Sequence, residues 1–121
     1  MTRSDSSLSD ASILQRVKEA YLIWIRIVPH IAKTARFTIA ARIENKLLDL
    51  LEISYATYFS EKTKKQGKIE ECILVLDTIK FLITVAWQGK LISNKYYEEI
   101  AIKLDEVGKM LGGWKRKIGP H

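Results

Sequence analysis

The sequence predicts an all-α protein, an antiparallel up-down-up-down four-helix bundle. Apolar residues recur at steps of three and four over four segments, and no segment shows sustained alternation of apolar and polar residues. Only 2 Pro and 6 Gly occur in 121 residues, so the chain has few of the turn residues that an all-β fold needs. A chain of this length forms one domain with its own core, and four helices of about 17–23 residues would fill it.

The first two helices are predicted before and after Pro29. Residues 1–11 are rich in Ser and Asp, and we expect them to be disordered, with Ser9 or Ser12 capping the first helix. That helix should end or kink before Pro29, because proline lacks the N–H that a helix interior needs. The second helix is predicted over residues 36–58. Its apolar stripe contains Phe37, Ala40, Leu47, Leu51, Ser54 and Tyr58.

The third and fourth helices follow a polar connection over residues 62–68. The third helix is predicted over residues 68–88, and Gly89 is a suitable stop. Ser93 or Asn94 caps the fourth helix, because short polar side chains accept the unpaired N–H groups of a first turn.

The end of the fourth helix sets the last domain boundary. Gly112 and Gly113 are predicted to terminate the helix. The bundle therefore spans residues 12–114, and residues 115–121 form a basic C-terminal tail. In this topology the start of the second helix and the tail lie at opposite ends of the bundle.

The overall charge and the cysteine count restrict the class of protein. The net charge of +6 favours a polyanionic partner. The single cysteine, Cys72, excludes an intramolecular disulfide, and its place on an apolar stripe predicts a small buried side chain. The most apolar run, residues 20–31, is too short to cross a bilayer, and the N-terminus has no apolar signal core. We therefore expect a cytoplasmic protein with no membrane partner, cofactor or metal.

A catalytic alternative rests on Arg26 and His30. Helical ribonucleases can handle a scissile phosphate with an arginine and a histidine a few residues apart on one helix. Here only three residues separate the two, and Pro29 interrupts the helix between them. The chain also lacks a GxSxG, an HExxH and a Gly-rich phosphate loop. We therefore predict no catalytic residues and no enzymatic activity.

Basic side chains outnumber acidic ones in three stretches, which are the start of the second helix, residues 62–68, and the residues after the last acid of the fourth helix. Elsewhere, acids have lysines at helical spacing, as in Glu99 with Lys103 and Asp105 with Lys109. Arg26 has no acidic neighbour at such spacing, and neither has Arg36, and arginine suits phosphate contacts. The lysines of residues 62–68 are interpreted as solubilising. The predicted nucleic-acid-binding residues are Arg36, Arg42, Lys46, Lys80, Lys115, Arg116 and Lys117.

The first helix is apolar over more than one face. Leu22, Ile23 and Ile25 lie beside the residues of its main stripe. A lone four-helix bundle needs one stripe per helix, so the additional apolar surface favours contact with another subunit.

The segment Leu104-Asp105-Glu106-Val107-Gly108-Lys109-Met110-Leu111-Gly112-Gly113-Trp114 resembles the C-terminal signature of a family of small four-helix-bundle proteins. One branch of this family is the accessory variability determinant proteins of diversity-generating retroelements. Another is the proteins encoded in intervening sequences of bacterial large-subunit ribosomal RNA genes. Residues 36–52 and 76–82 are similar to the second and third helices of the family. The resemblance covers about residues 13–114.

The resemblance implies a pentamer of four-helix bundles with the shape of a basic barrel. In the retroelement branch such a protein has no catalytic site and binds the reverse transcriptase and nucleic acid, template RNA or an RNA–DNA hybrid. The implied partners are therefore the reverse transcriptase, RNA or DNA, and further copies of the chain. Gly108 would let the fourth helix approach a neighbour, and Trp114 would cover the bundle end. The alternative is a ribosomal intervening-sequence protein with a general RNA-binding or structural role.

Overall fold

The computed structural model describes the backbone of residues 2–119 and the side chains of residues 11–119. This part of the chain contains no strands and four long helices, which are α1 (Thr2–Ile27), α2 (Ile39–Tyr58), α3 (Lys62–Gln88) and α4 (Asn94–Ile118). Each helix packs against two others, since α1 and α3 both contact α2 and α4. Short connections make consecutive helices antiparallel. The predicted all-α four-helix bundle is confirmed.

The core lies along the centre of the bundle, where each helix contributes one apolar face. Fully buried side chains include Trp24 of α1, Leu47 of α2, Ile79 of α3 and Leu104 of α4. Trp24 also fixes α1 against the start of α2, because its Nε1 donates a hydrogen bond of 3.2 Å to the carbonyl oxygen of Ala40. A buried indole with its N–H paired avoids the cost of an unsatisfied donor. No described helix is long and apolar enough to cross a membrane.

The buried hydroxyl and thiol groups where α2 packs on α3 have nearby partners. Cys72 is fully buried, as predicted, and its Sγ lies 3.8 Å from Oγ1 of Thr57. Burial raises the pKa of the Cys72 thiol, so the reactive thiolate is disfavoured. The hydroxyls of Ser54 and Thr57 each donate a hydrogen bond of 2.6 Å to a carbonyl oxygen one turn back, on Leu50 and Ile53 respectively.

Helix α1 ends two residues before Pro29, as predicted, and a short 3-10 turn over residues 28–30 follows it. Its start differs from the prediction. The helix begins at Thr2 rather than at Ser9 or Ser12, so the predicted boundary at residue 11 does not coincide with a helix boundary. No Gly or Pro stands in this stretch to interrupt the helix. Met1 lies outside the described residues.

Helix α2 starts three residues later than predicted, and this changes the position of Phe37. Residues 33–36 form a separate helical turn, and the backbone of Thr38, with φ −116° and ψ −102°, separates that turn from α2. The apolar stripe therefore does not extend back to Phe37. Its ring is 86% exposed, so its predicted place in the core is wrong. The buried face of α2 consists of Ala40, Ile43, Leu47, Leu50, Ser54 and Thr57.

Helix α3 includes the predicted polar connection. Residues 62–68 form its first turns, and only residues 59–61 connect it to α2. Lysine and glutamine are good helix formers, so a segment without apolar periodicity still continues the helix. Gly67 does not interrupt it, and a Cβ built there would meet no atom within 4 Å.

Helix α4 begins as predicted but ends later. The Oγ of Ser93 accepts a hydrogen bond of 3.2 Å from the backbone N–H of Tyr96. The helix then passes through Gly112 and Gly113 to Ile118, because Trp114 and Ile118 are buried and hold its last turns on the core. Gly119, with φ 64°, ends it.

Residues 115–118 are therefore helical, and the prediction of a C-terminal tail is wrong for them. The backbone N–H of Gly119 donates a hydrogen bond of 2.8 Å to the carbonyl oxygen of Lys115, which closes the last turn of α4. The last two residues of the predicted tail, 120 and 121, lie outside the described residues.

Candidate nucleic-acid interface

The seven predicted binding residues lie at three levels along the bundle. We name as the upper end the one formed by the connections 28–38 and 89–93, and as the lower end the one formed by the connection 59–61 and the last turn of α4. The upper end carries Arg36 and Arg42, the middle carries Lys46 and Lys80, and the lower end carries Lys115, Arg116 and Lys117. Within one chain they do not form a single patch.

Arg36 holds the connection between α1 and α2 in place. Its Nε donates to the carbonyl oxygen of Ile31, and its Nη2 donates to that of Pro29, both at 2.8 Å. Two of the five guanidinium N–H groups are thus used by the loop itself. Arg36 has no carboxylate partner among the described side chains, but its main contacts are structural.

Two of the predicted binding residues have acidic partners on a neighbouring helix. The ammonium of Lys80 lies 3.0 Å from a carboxylate oxygen of Asp105. The ammonium of Lys115 lies 4.0 Å from a carboxylate oxygen of Glu70. A phosphate at either position would compete with that carboxylate, which makes both weaker candidates than the sequence indicated.

Arg42 and Lys46 have no such partner. Among the side chains of residues 11–119, neither makes a salt bridge, and they lie one turn apart on the side of α2 that faces α3. We name this surface the α2–α3 flank. It contains Arg42, Lys46 and the open pocket beside them, which also involves Leu82 of α3. Its positive charge is available to an anionic partner.

On the opposite side, where α1 packs on α4, charges are paired across the helices. Lys103 lies at 3.0 Å from Glu19 and at 3.1 Å from Glu106, and Arg16 contacts both acids at 3.2 and 3.4 Å. Hydrogen bonds from Lys103 and then Gln15 lower the pKa of Glu19. The bond to Glu19 is likewise the main cause of the raised pKa of Lys103. This network stabilises the contact of α1 with α4.

The ion pairs predicted from local spacing are therefore wrong. Lys103 pairs with Glu19 rather than with Glu99, because the side chains meet across the interface between helices. Glu99 instead accepts a hydrogen bond of 2.9 Å from Arg26, so Arg26 is not the unpaired arginine that helical spacing indicated. Asp105 pairs with Lys80 rather than with Lys109.

The lysines of residues 62–68 belong to a basic lower end. They occupy the first turns of α3, next to the last turns of α4, since the ammonium of Lys65 lies 5.9 Å from the ring of Trp114. Trp114 is buried at that end, as the resemblance implied. Cations near the N-terminus of a helix are unfavourable, because this end of the helix dipole is positive. Their number at this end is therefore not explained by helix stability.

Arg26 and His30, the residues of the catalytic alternative, take part in separate contacts. Arg26 is held by Glu99, while the ring of His30 packs on that of Tyr96 with centroids 5.0 Å apart. Within the described residues, no group of three His, Cys, Asp or Glu side chains is arranged to hold a metal ion.

The sequence did not predict the pocket beside Phe37. Phe37 and Arg42 line an open pocket of about 590 Å³ on the α2–α3 flank, together with Asn45 and Leu82. The sequence pattern assigned Phe37 to the core, so the only signal was the concentration of basic residues around it.

A model of the bAvd-like family matches residues 12–118 of the chain. The match covers all four helices of the bundle apart from the first turns of α1. Neither the curated proteins nor the solved structures contain a significant match.

Proposed function

Because the chain belongs to the bAvd-like family, the bacterial accessory variability determinant proteins, we propose that it is a non-catalytic accessory protein of a diversity-generating retroelement. In this role it binds the reverse transcriptase of the element together with nucleic acid. The observation that carries the proposal is the family match over residues 12–118. The matching family is that of the accessory proteins, which is why we prefer this role to the ribosomal one.

The α2–α3 flank supports the nucleic-acid part of the proposal. Arg42 and Lys46 present two positive charges with no acidic partner among the described side chains, and the lower end adds the lysines of α3. Such cations release counterions from a phosphate backbone, which gives affinity without base specificity. Lys80 and Lys115 contribute less, because each already faces a carboxylate.

Exposed apolar side chains support assembly of several copies. Leu22 and Ile25 of α1 are 46% and 38% exposed. Leu74, Phe81 and Val85 are exposed on one side of α3, the helix diagonally across the bundle. A contact between these two different surfaces would be heterologous, and heterologous contacts form a ring when the rotation between successive copies closes. The homopentamer that we propose is such a ring.

The test of this function is binding by the assembled protein. We expect the chain to co-purify with the reverse transcriptase encoded beside its gene, and light scattering to give five times the mass of one chain. RNA binding should weaken strongly between about 50 and 200 mM salt. The double substitution R42Q/K46Q should weaken RNA binding and reduce the salt slope by about one unit for each phosphate contact that is lost.

The matched control is K18Q/K95Q, which removes the same charge from two exposed lysines outside the α2–α3 flank. It should retain most of the RNA affinity. Equal losses in both double variants would show that net charge alone matters. Failure to bind the reverse transcriptase or any RNA would contradict the proposed function.

A further inference from the structure

The pocket on the α2–α3 flank places an exposed aromatic ring beside an arginine that has no acidic partner among residues 11–119. The ring of Phe37 is 86% exposed, and the pocket between it and Leu82 has a volume of about 590 Å³. Small-molecule sites typically enclose about 300–1,000 Å³. Arg42 and Asn45 supply polar groups at the same pocket.

Resting on the nucleic-acid binding proposed above, we propose that this pocket takes one unpaired base of a single-stranded nucleic acid, stacked on Phe37 with its phosphate at Arg42. Every base has a π face, so an aromatic side chain binds single strands with little dependence on sequence. A base within a duplex is already stacked on both sides and cannot enter. The site therefore adds a preference for single strands to the general attraction of phosphates.

The connection that carries Phe37 is held in a fixed shape. Arg36 bonds two carbonyl oxygens of this connection, and Oγ1 of Thr38 donates to the carbonyl oxygen of Ala35 at 3.3 Å. Phe37 follows directly on the helical turn that these bonds stabilise. A backbone that is already held in one shape loses little conformational freedom when a base stacks on the side chain it carries.

The polar groups of the pocket suit the rest of a nucleotide. The guanidinium of Arg42 has the planar set of donors that matches phosphate oxygens. The amide of Asn45 offers both a donor and an acceptor, which is what the edge of an unpaired base can use.

Two other grooves among the described residues lack this combination. The groove between α1 and α2 contains Tyr55 and Lys18, but Glu52 lies in it and would repel a phosphate. The groove between α3 and α4 contains Lys80, whose charge is already neutralised by Asp105.

The test compares the wild-type protein with F37A, F37W and Y55A. The probes are a fluorescently labelled oligouridylate, an oligothymidylate of the same length, and a duplex with the same number of phosphates. F37A should weaken single-strand binding by about five- to a hundredfold, the value of one base–aromatic stack, and leave duplex binding unchanged. F37W should retain single-strand affinity. Y55A, which removes a different exposed aromatic ring, should bind all three probes like the wild type.

A fluorescent base analogue in the single strand gives a second readout, because its emission falls on stacking with the wild type and should not fall with F37A. A loss with both single strands identifies a site for either polymer, and a loss with one of them identifies that polymer as the occupant. Unchanged single-strand binding by F37A would overturn the inference, and so would an equal loss on the duplex. A lower mass of F37A by light scattering would also overturn it, because Phe37 would then be covered by a second copy.

The tests can contradict the base pocket and the nucleic-acid binding of the flank independently. If R42Q/K46Q weakens RNA binding while F37A does not, the basic flank holds phosphates and only the base pocket is wrong. If neither variant affects RNA binding, the nucleic-acid part of the proposed function is wrong as well.

Discussion

The α1–α4 face and the α2–α3 flank both carry charged side chains, but among the described residues only the α1–α4 face arranges them in pairs of opposite sign. On the α1–α4 face, Lys103 lies within 3.1 Å of both Glu19 and Glu106, and Arg26 contacts Glu99 at 2.9 Å. On the α2–α3 flank, Arg42 and Lys46 are like charges one turn apart, an arrangement that slightly destabilises a helix. Folding explains the charges of the first surface and does not explain those of the second.

At two further positions, too, a positive charge is not explained by the stability of the fold. Lysines occupy the first turns of α3, where the helix dipole favours acids. Lys90, which follows the end of α3, has a backbone φ of 63°, a conformation usually left to glycine. In each case a cation stands where another residue would stabilise the fold more. This is the pattern that is expected when charge is kept for a partner.

The largest effect on stability among these surface charges should come from K103M on the α1–α4 face. The variant leaves Glu19 and Glu106 with Arg16 as their remaining cation, and we expect it to lower the free energy of unfolding by about 1 kcal/mol. Chemical denaturation measures this difference. RNA affinity should remain close to that of the wild type, because the charge belongs to the structural network. A loss of RNA binding at full stability would abolish the distinction between the two surfaces.

The pH dependence of stability provides a control for K103M. The pKa of Glu19 is lowered from 4.5 in the folded protein, mainly by its hydrogen bond to Lys103. A group with a lowered pKa stabilises the fold above its unfolded pKa, and this contribution is lost as the pH falls through the folded pKa. K103M should therefore lose less stability than the wild type when the pH is lowered below about 5. An identical acid dependence would mean that Lys103 is not the partner of Glu19 in solution.

A smaller effect of opposite sign is expected for K90G. Glycine adopts a positive φ without strain, so this substitution should raise the free energy of unfolding by about 0.5–1 kcal/mol. The two hydrogen bonds of this turn are between backbone groups, from Lys90 to Trp87 and from Leu91 to Ala86, and both remain. Thermal unfolding measures the gain. In K109G, where the glycine replaces an exposed lysine inside α4, stability should instead fall by about 1 kcal/mol. A loss of stability in K90G would show that the Lys90 side chain contributes to the fold.

The sequence predicted the core of the bundle better than its ends. The apolar periodicity placed Ala40, Leu47, Ser54 and Cys72 on apolar stripes, and all four are buried. It failed for residues 62–68, because a lysine-rich helix has no apolar stripe to detect. It also failed at Gly112 and Gly113, since the burial of residues further along holds the helix together.

The candidate site could be predicted only in part, for a geometric reason. Excess positive charge is visible in a sequence, and it directed the prediction to the neighbourhood of Arg42. Salt bridges between helices are not visible, because Arg26 and Glu99 are 73 residues apart. The exposure of Phe37 depends on the backbone of Thr38, which leaves the helical region where periodicity alone predicts a continuous helix.

The smallest expected effect is that of R42Q on stability, and it separates the two surfaces most directly. Replacing Arg42 removes its repulsion of Lys46 and breaks no salt bridge with another described side chain. The free energy of unfolding should therefore stay the same or rise by about 0.2–0.5 kcal/mol. Urea denaturation of R42Q beside K18Q, which removes one charge elsewhere, measures this difference. RNA affinity should fall in R42Q and not in K18Q. If R42Q instead lost more than about 1 kcal/mol, Arg42 would be a structural residue like Lys103, because an exposed cation without partners contributes less than that.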